Sequence, residues 1–280
     1  VLGGSTALKG QARGFNGGDT GGIAARTVRG WIRRWYFPPQ SLTFITDWEE
    51  KIERLAPLAL QEDIRLMSGA PGWMTLLFEK LTALKGEGAR IGDVFPNLEL
   101  ITHGGVSLNP YRKRFEAMLE GSRAEMREVY PASEGFVAIA DRGPQQGLRL
   151  IADNGLFYEF IPVAEIGKPN ATRHWLGNIE TGIDYAIVLT TCAGLWSYVI
   201  GDVVRFVDRA PPRLVITGRT SYMLSSFGEH ISGELIETCV LAAAGVIGAQ
   251  VSEFSVGTAF AEKAGGALGH HVYGVGFDAA

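Results

Sequence analysis

Hydrophobic and polar residues follow two different periods along the chain. In the first half, many apolar positions recur every three or four residues, which predicts amphipathic helices. One such segment runs from Asp47 to Gly69, with Asp47 as its N-terminal cap and Pro57 as the residue that is expected to break or kink it. A second helix is predicted for "GWMTLLFEKLTALKG", which Gly86 closes.

Strand-like patterns dominate the second half. The segments "GLRLIA" and "LFYEFIPV" flank Asp153-Asn154-Gly155 and predict a hairpin. Earlier, "NLELITHGG" is typical of a short strand, and Asn109 to Leu119 of a helix with proline at its first position. The Gly-rich residues 3–22 predict a loop. Further strands are predicted for "DYAIVLTT", "LWSYVI", "DVVRFV", "RLVITG", "EFSVGTAF" and "HHVYGVGF", and a helix for "GELIETCVLAAAG".

The character of the sequence changes at Gly218-Arg219, where a Ser- and Gly-rich loop follows the strand-rich region. This change predicts a domain boundary near residue 218. The expected fold is therefore α/β, with mixed sheets and flanking helices in a large domain at residues 1–218. Residues 219–280 would then begin a smaller α+β domain.

Composition narrows the possible functions. The chain has 280 residues, of which 46% are hydrophobic and 20% charged, with a net charge of -4. This is a globular composition, and its acidic balance argues against a nucleic-acid-binding surface. No stretch is long enough for a membrane span, and two cysteines suit a reducing cytoplasm. The chain opens on Val1 without Met, and both ends are expected to be cut from something longer.

Three strand ends carry polar or glycine residues, and ligands of open α/β sheets bind beyond strand ends. Each taken alone is typical of a turn. Together they supply the parts of a nucleotide site: a ring for a base in Tyr130, a phosphate donor in Ser133 and a Mg²⁺ ligand in Glu134. Asp202 could accept both ribose hydroxyls. The three segments are Gly104-Gly105, Tyr130 to Gly135, and Ile200-Gly201-Asp202.

A family resemblance joins these segments. The blocks "VYPASEG", "LFYEFIP", "TTCAGLWSYVIGDVVRF" and "GRTSYMLSSFGEHISGELIE" occur in this order. They resemble the auxin-responsive promoter, or Gretchen Hagen, family of acyl-acid amido synthetases, which belongs to the luciferase-like adenylate-forming superfamily. The resemblance is clearest from about residue 95 to 240.

The resemblance implies roles for particular residues. The family's Tyr-x-x-Ser-Glu loop, which holds adenine, phosphate and Mg²⁺, falls on Tyr130, Ser133 and Glu134. The last two would thereby take part in catalysis. The ribose-binding carboxylate of the family's Gly-Asp block falls on Asp202.

The family's glycine pair and its interdomain hinge also have counterparts in this sequence. The glycine pair beside adenine falls on Gly104 and Gly105, and the hinge between large and small domains on Gly218 and Arg219. Arg219 is counted among the expected nucleotide-binding residues.

The sequence departs from the family at several places. Arg often flanks the Tyr before Gly-Asp, whereas this chain has Ser197 and Val199 there. The segment "LGGSTALKG" at residues 2–10 lies too close to the other blocks to be the family's phosphate loop. Lys263 lies too close to the hinge to be its catalytic lysine. Both features are expected to lie outside the chain.

The implied function is ATP-dependent adenylation of a small carboxylic acid, followed by acyl transfer to an amine, with an amino acid as the expected acceptor. ATP and Mg²⁺ are the implied cofactors, and neither nucleic acid nor membrane is an expected partner. Two alternatives stay open: a ligase that transfers the acyl group to coenzyme A, and a non-catalytic nucleotide-binding or scaffold relative. The chain by itself is expected to be inactive, because the phosphate loop and lysine are missing.

Overall fold

The computed structural model describes residues 8–12, 15–18, 20–143, 146–220, 231, 233–259 and 270–277. The chain divides into two compact units, Val1–Val129 and Tyr130–Ala280. No helix among the described residues combines the length and the apolarity needed to cross a bilayer. The segment "SYMLSSFGEH" and Lys263, on which two predictions fall, lie outside the described residues.

The first unit is rich in helices. Three of its strands are parallel, in the order β3-β4-β5, and β5 continues for three residues into the second unit. Its elements are β1 (Leu8–Ala12), β2 (Phe15–Gly18), α1 (Thr20–Thr27), α2 (Gln40–Thr43), α3 (Trp48–Ala59), β3 (Leu66–Gly69), α4 (Pro71–Lys85), α5 (Ile91–Val94), β4 (Leu100–His103), α6 (Arg112–Met118) and β5 (Glu125–Ala132).

Local chemistry explains the ends of the first long helices. The Asp47 side chain accepts a hydrogen bond of 2.7 Å from the backbone nitrogen of Glu50, which confirms Asp47 as the cap of α3. Pro57 lies inside the last turn, and α3 ends two residues later. Helix α4 ends at Gly86 as predicted, with a φ of 136° at that glycine.

Two sequence predictions for this unit were wrong. The helix expected from Asp47 to Gly69 stops at Ala59, and its last four residues form β3, which pairs with β4. The Gly-rich segment expected as a loop contains β1 and β2, which pair antiparallel, and the start of α1. Glycine carries no side chain, so these strands lack the hydrophobic alternation that predicts a strand.

The second unit is rich in strands. Six of them pair antiparallel in the order β6-β7-β11-β10-β9-β8. Farther along, β12 and β13 form a separate antiparallel pair. The elements are β6 (Gly135–Ile139), β7 (Leu148–Leu150), β8 (Leu156–Pro162), β9 (Asp184–Thr191), β10 (Tyr198–Arg209), β11 (Pro212–Arg219), α7 (Gly233–Val246), β12 (Val251–Ala259) and β13 (His270–Phe277). Helices and mixed strand pairing confirm the predicted α/β class.

The hairpin predicted around Asp153-Asn154-Gly155 is wrong. The strands on its two sides do not pair, because β7 pairs with β6 and β11, while β8 pairs with β9. All seven residues of β8 find partners on β9, from Leu156 opposite Thr191 onward. The three-residue β7 offers a much shorter ladder, so the longer pairing is preferred.

Two separate hydrophobic clusters stabilise the second unit. The larger one includes Phe160, Tyr185 and Phe206, whose rings meet edge to face with centroids 5.0 to 6.2 Å apart. The smaller one joins α7 to β12 through Ile236, Val240, Ala244 and Val251. The hinge and domain boundary near residue 218 stay a prediction.

Candidate functional site

Three of the predicted site residues meet in the second unit. The Tyr130 hydroxyl donates a 2.5 Å hydrogen bond to Oδ2 of Asp202. On its other side, Oδ1 of Asp202 lies 3.1 Å from Nε of Arg219. Tyr130 is 5% exposed, and the side chains of Asp202 and Arg219 are 17% and 50% exposed. The carboxylate is therefore held from two directions and still reaches the surface.

An irregularity in β10 brings Asp202 to this position. Val199 pairs with Val188 of β9 and Val203 pairs with Ala186, so β10 has three residues where β9 has one. The middle residue of the three, Gly201, has a φ of 87°, which residues with a Cβ rarely adopt. The two segments "LWSYVI" and "DVVRFV", predicted as separate strands, are therefore one strand with a bulge.

A second irregularity places Arg219. In the β10-β11 pair, Asp202 lies opposite Arg219 and Val203 opposite Gly218, but the next pair is Val204 with Ile216. The extra residue on β11 is Thr217. Arg219 is fixed further by a 3.1 Å hydrogen bond from its guanidinium to the carbonyl of Ile200. The ion pair thus joins two strands at the bulge of each.

A partly buried polar network that was not predicted from the sequence lies beside this ion pair. Thr217 donates to Oδ1 of Asp184 at 3.1 Å, and Arg205 binds both oxygens of Asp184 at 3.0 and 2.8 Å. Arg205 also lies 3.4 Å from Glu234 of α7. The only available signal was the pairing of opposite charges on neighbouring strands. A small cleft adjoins the network, lined by Val163, Asp184, Val203, Thr217, Gly218, Arg219 and Gly233.

Ser133 and Glu134 form the two-residue turn between β5 and β6, as the sequence predicted. Ser133 is exposed and Glu134 is half-buried. The next residue must be small, because a Cβ on Gly135 would lie 2.6 Å from a methyl carbon of Leu156.

Electrostatics keep Tyr130 protonated. Burial is the main cause that raises the pKa of Tyr130, followed by its hydrogen bond to Asp202 and the negative charge of Asp202. The charge of Glu134 raises this pKa further, and Arg219 opposes the change. Tyr130 is therefore a hydrogen-bond donor at neutral pH, and Glu134 lies near enough to act on it through its charge.

Gly104 and Gly105 belong to the first unit and follow the last residue of β4. Gly105 has a φ of 86°, is exposed, and has open space where a Cβ would be. Backbone conformation, rather than crowding within the protein, therefore requires glycine here.

The guanidinium of Arg173 lies beside Ser197, one of the two positions at which the family named in the sequence analysis often has Arg. Ser197, which has a φ of 49°, accepts a 2.7 Å hydrogen bond from Nη1 of Arg173. Arg173 also lies 3.5 Å from the Glu159 carboxylate. The sequence could not reveal this, because Arg173 comes from the connection between β8 and β9.

The described residues can bind Mg²⁺ only if the substrate phosphates supply part of its ligands. Among the described residues there is no group of three or more His, Cys, Asp or Glu side chains that could hold a metal. Mg²⁺ commonly uses one or two protein carboxylates together with substrate phosphates. Glu134, as a half-buried carboxylate in an open turn, fits the protein part of such a site.

Family models match two parts of the chain. The GH3 family N-terminal domain matches residues 19–124, and the GH3 family central domain matches residues 149–219. The chain belongs to the GH3 family. The resemblance of the sequence blocks to this family is thereby confirmed.

Two similar proteins of the GH3 family come from plants. The jasmonoyl-L-amino acid synthetase JAR4 of Nicotiana attenuata is 27% identical over 192 residues, which cover 65% of this chain and 33% of that protein. The probable indole-3-acetic acid-amido synthetase GH3.9 of Oryza sativa subsp. japonica is 36% identical over 101 residues, 34% of this chain and 23% of that protein. The matched region thus spans about a third or less of these relatives.

Solved structures confirm the fold. The GH3.15 acyl acid amido synthetase superposes with a TM-score of 0.72 at 15% identity, over 99% of this chain and 59% of that one. A 2-hydroxyisobutyryl-CoA ligase in the postadenylation state superposes with a TM-score of 0.54 at 18% identity, over 74% of this chain and 42% of that one. The GH3 chain therefore has the fold shared by these ligases.

Proposed function

We propose that the protein uses ATP to adenylate a small carboxylic acid and then transfers the acyl group to an amine, with an amino acid as the expected acceptor. The observation that carries the proposal is the contact of Tyr130, Asp202 and Arg219, which are far apart in sequence and meet at the bulges of β10 and β11. Membership of the GH3 family supports it, since GH3 relatives are named as amido synthetases.

In the proposed site, Asp202 binds the ribose. A carboxylate has about four lone-pair positions, and Tyr130 and Arg219 use one on each oxygen of Asp202. One further position on each oxygen can accept a ribose hydroxyl. Tyr130 and Arg219 then act by holding the carboxylate in a fixed orientation, which reduces the entropy lost on binding. Gly104 and Gly105 are proposed to border the base.

Ser133 and Glu134 are proposed to act on the phosphates. The substrate carboxylate attacks the α-phosphorus, a new P–O bond forms, and the bond to pyrophosphate breaks. Negative charge builds up on the phosphate oxygens during this step. Ser133 would donate a hydrogen bond to a phosphate oxygen, and Glu134 would hold Mg²⁺, which supplies positive charge when bound. In the second step the amine attacks the acyl carbon, the bond to AMP breaks, and the amine loses a proton.

The guanidinium of Arg173 is proposed to supply the charge that flanking Arg residues supply in the resembling family. Ser197 occupies one of those positions and accepts a hydrogen bond from Arg173. This contact weakens the case for a non-catalytic relative, which rested on the missing Arg residues at 197 and 199.

The test is the exchange of labelled pyrophosphate into ATP by the complete protein, in the presence and absence of a panel of carboxylic acids. Acid-dependent exchange followed by an amide product with amino acids supports the proposal. Formation of a thioester with coenzyme A, and not of an amide, would show that the protein is an acyl-CoA ligase. Binding of ATP without exchange on any acid would favour the non-catalytic alternative.

A further inference from the structure

A second cluster of polar side chains lies in the first unit, at the last residue pair that joins the parallel strands β4 and β5. His103 is the last residue of β4 and pairs in register with Glu128 of β5. Paired residues on neighbouring strands present their side chains to the same face of the sheet. Arg112 begins α6, and its charge acts on both His103 and Glu128. An imidazole, a carboxyl group and a guanidinium are thus brought to one place.

His103 has a hydrogen-bonding atom that the protein does not use. The residue is 4% exposed, and its Nδ1 has no hydrogen-bond partner among the described residues. A buried polar atom without a partner is costly, and such atoms usually bind water or a ligand. Burial, and secondarily the charge of Arg112, lower the pKa of His103 to about 4. The ring is therefore neutral at pH 7.

Glu128 is also unusual for a carboxyl group. Burial raises its pKa, and the charge of Arg112 opposes this only in part. Within the described part of the chain, Glu128 makes no salt bridge, although Arg112 is close enough to act on it. The carboxyl group is therefore available to accept a hydrogen bond from something else.

The cluster is linked to the candidate nucleotide residues through the chain. His103 immediately precedes Gly104-Gly105, and Glu128 precedes Tyr130 by two positions in β5. In α/β sheets, ligands bind beyond the carboxyl ends of parallel strands. His103 occupies such an end, and Glu128 is the last residue of β5 that pairs with β4. A substrate group is therefore a candidate partner for the unpaired Nδ1 of His103.

We infer that His103, Glu128 and Arg112 form a recognition site for a hydroxyl group carried by the acid substrate. A hydroxyl offers one donor and two acceptor positions, so it can donate to Glu128 and accept from Arg112 or from His103 in the tautomer with a proton on Nδ1. An acid without the hydroxyl group would leave Nδ1 of the buried His103 without a partner. This inference rests on the proposed adenylation for its substrate, and none of the three residues is assigned to the nucleotide.

Matched pairs of acids test the inference with the complete protein. The probes are benzoate with 4-hydroxybenzoate, phenylacetate with 4-hydroxyphenylacetate, and hexanoate with 6-hydroxyhexanoate, each measured as kcat/KM for pyrophosphate exchange. In at least one pair we expect the hydroxylated acid to be preferred by about tenfold or more, because sites that hydrogen-bond a hydroxyl reject analogues that lack it. In Glu128→Gln the preference for the hydroxylated acid should fall below about threefold. Glu125→Gln, an exposed position on the same strand, is the control.

Binding measured without turnover separates this inference from the proposed function. Addition of the three hydroxylated acids should shift the ring ¹⁵N signals of His103, which are assigned by their loss in His103→Gln. Such a shift supports the recognition site even if no exchange is found, in which case only the adenylation proposal fails. Equal rates within every pair together with unshifted His103 signals would overturn the inference. A preference for the dicarboxylates terephthalate or adipate would also overturn it, in favour of an anion site at Arg112.

Discussion

The Tyr130 hydroxyl binds Oδ2 of Asp202 at 2.5 Å, across 72 residues of sequence. This bond makes the two residues dependent on each other. Removing the Asp202 carboxylate would leave a nearly buried hydroxyl without its acceptor, which costs about 1–3 kcal/mol. A loss of stability in Asp202→Ala would therefore carry no information on whether Asp202 binds a nucleotide.

The role of Asp202 is tested in a background that lacks the Tyr130 hydroxyl. We expect Tyr130→Phe to fold and to bind ATP within about threefold of the parent protein. Adding Asp202→Ala to Tyr130→Phe should weaken ATP binding by about tenfold or more, because charge-assisted hydrogen bonds contribute about 1.5–3 kcal/mol each. Calorimetric titration gives the affinities. If the second substitution leaves the dissociation constant unchanged, Asp202 does not bind the nucleotide.

Glu134 should affect turnover more than affinity. In Glu134→Gln we expect kcat for pyrophosphate exchange to fall by about 100-fold, with ATP affinity within about threefold, because the carboxylate acts while charge moves. The Mg²⁺ concentration for half-maximal rate should rise. Asp153→Asn, in the exposed turn before β8, is a control that should change neither quantity. An equal loss of affinity and turnover would contradict the assigned role.

Arg173 should be needed for activity and not for folding. Its ion pair with Glu159 is partly exposed, with the Arg173 side chain 42% accessible, and such pairs contribute little to stability. We expect Arg173→Gln to lower kcat/KM for exchange by about tenfold or more and to leave the melting temperature nearly unchanged. Arg149→Gln, on β7 and 56% exposed, should be neutral in both. If Arg173→Gln is fully active, the absence of Arg at positions 197 and 199 again favours a non-catalytic relative.

The sequence predicted those parts of the site that depend on neighbouring residues. The strand, turn and strand around Ser133-Glu134 follow from local pattern, and the structure confirms them. The bond between Tyr130 and Asp202 could not be predicted, because it depends on two extra residues in β10 relative to β9. Strand partners were missed for a similar reason: β8 pairs with the longer β9, a choice that nearby turn residues cannot reveal.

In the polar network beside the ion pair, the loss of Asp184 should lower the free energy of unfolding more than the loss of Glu234. Asp184→Ala removes the acceptor of Thr217, which is 1% exposed, and both hydrogen bonds from Arg205. We expect the free energy of unfolding to fall by about 2 kcal/mol. Glu234→Ala removes a longer contact from a side chain that is 45% exposed, so its effect should stay below about 1 kcal/mol. Urea denaturation measures both, and equal losses would show that the network is not centred on Asp184.

His103 should make the protein less stable as pH falls below neutrality. Burial, with a smaller effect of Arg112, lowers its pKa from 6.5 to about 4 in the folded state. Between these two values the unfolded chain binds a proton that the folded protein does not, so the free energy of unfolding decreases as pH falls from 6.5 toward 4. From pH 7.5 to pH 5 this contribution should decrease by about 2 kcal/mol.

Glu128 acts in the opposite direction, because burial raises its pKa and its contribution to stability is lost as pH rises above 4.5. The measurement must therefore be a difference between the parent protein and His103→Gln, since Glu128 and Arg112 are present in both. Urea denaturation of the two at pH 7.5 and pH 5 gives four free energies. We expect the parent to lose about 2 kcal/mol more than His103→Gln over this range. Equal losses would mean that His103 titrates alike in the folded and unfolded states, so that its ring is not held neutral by burial beside Arg112.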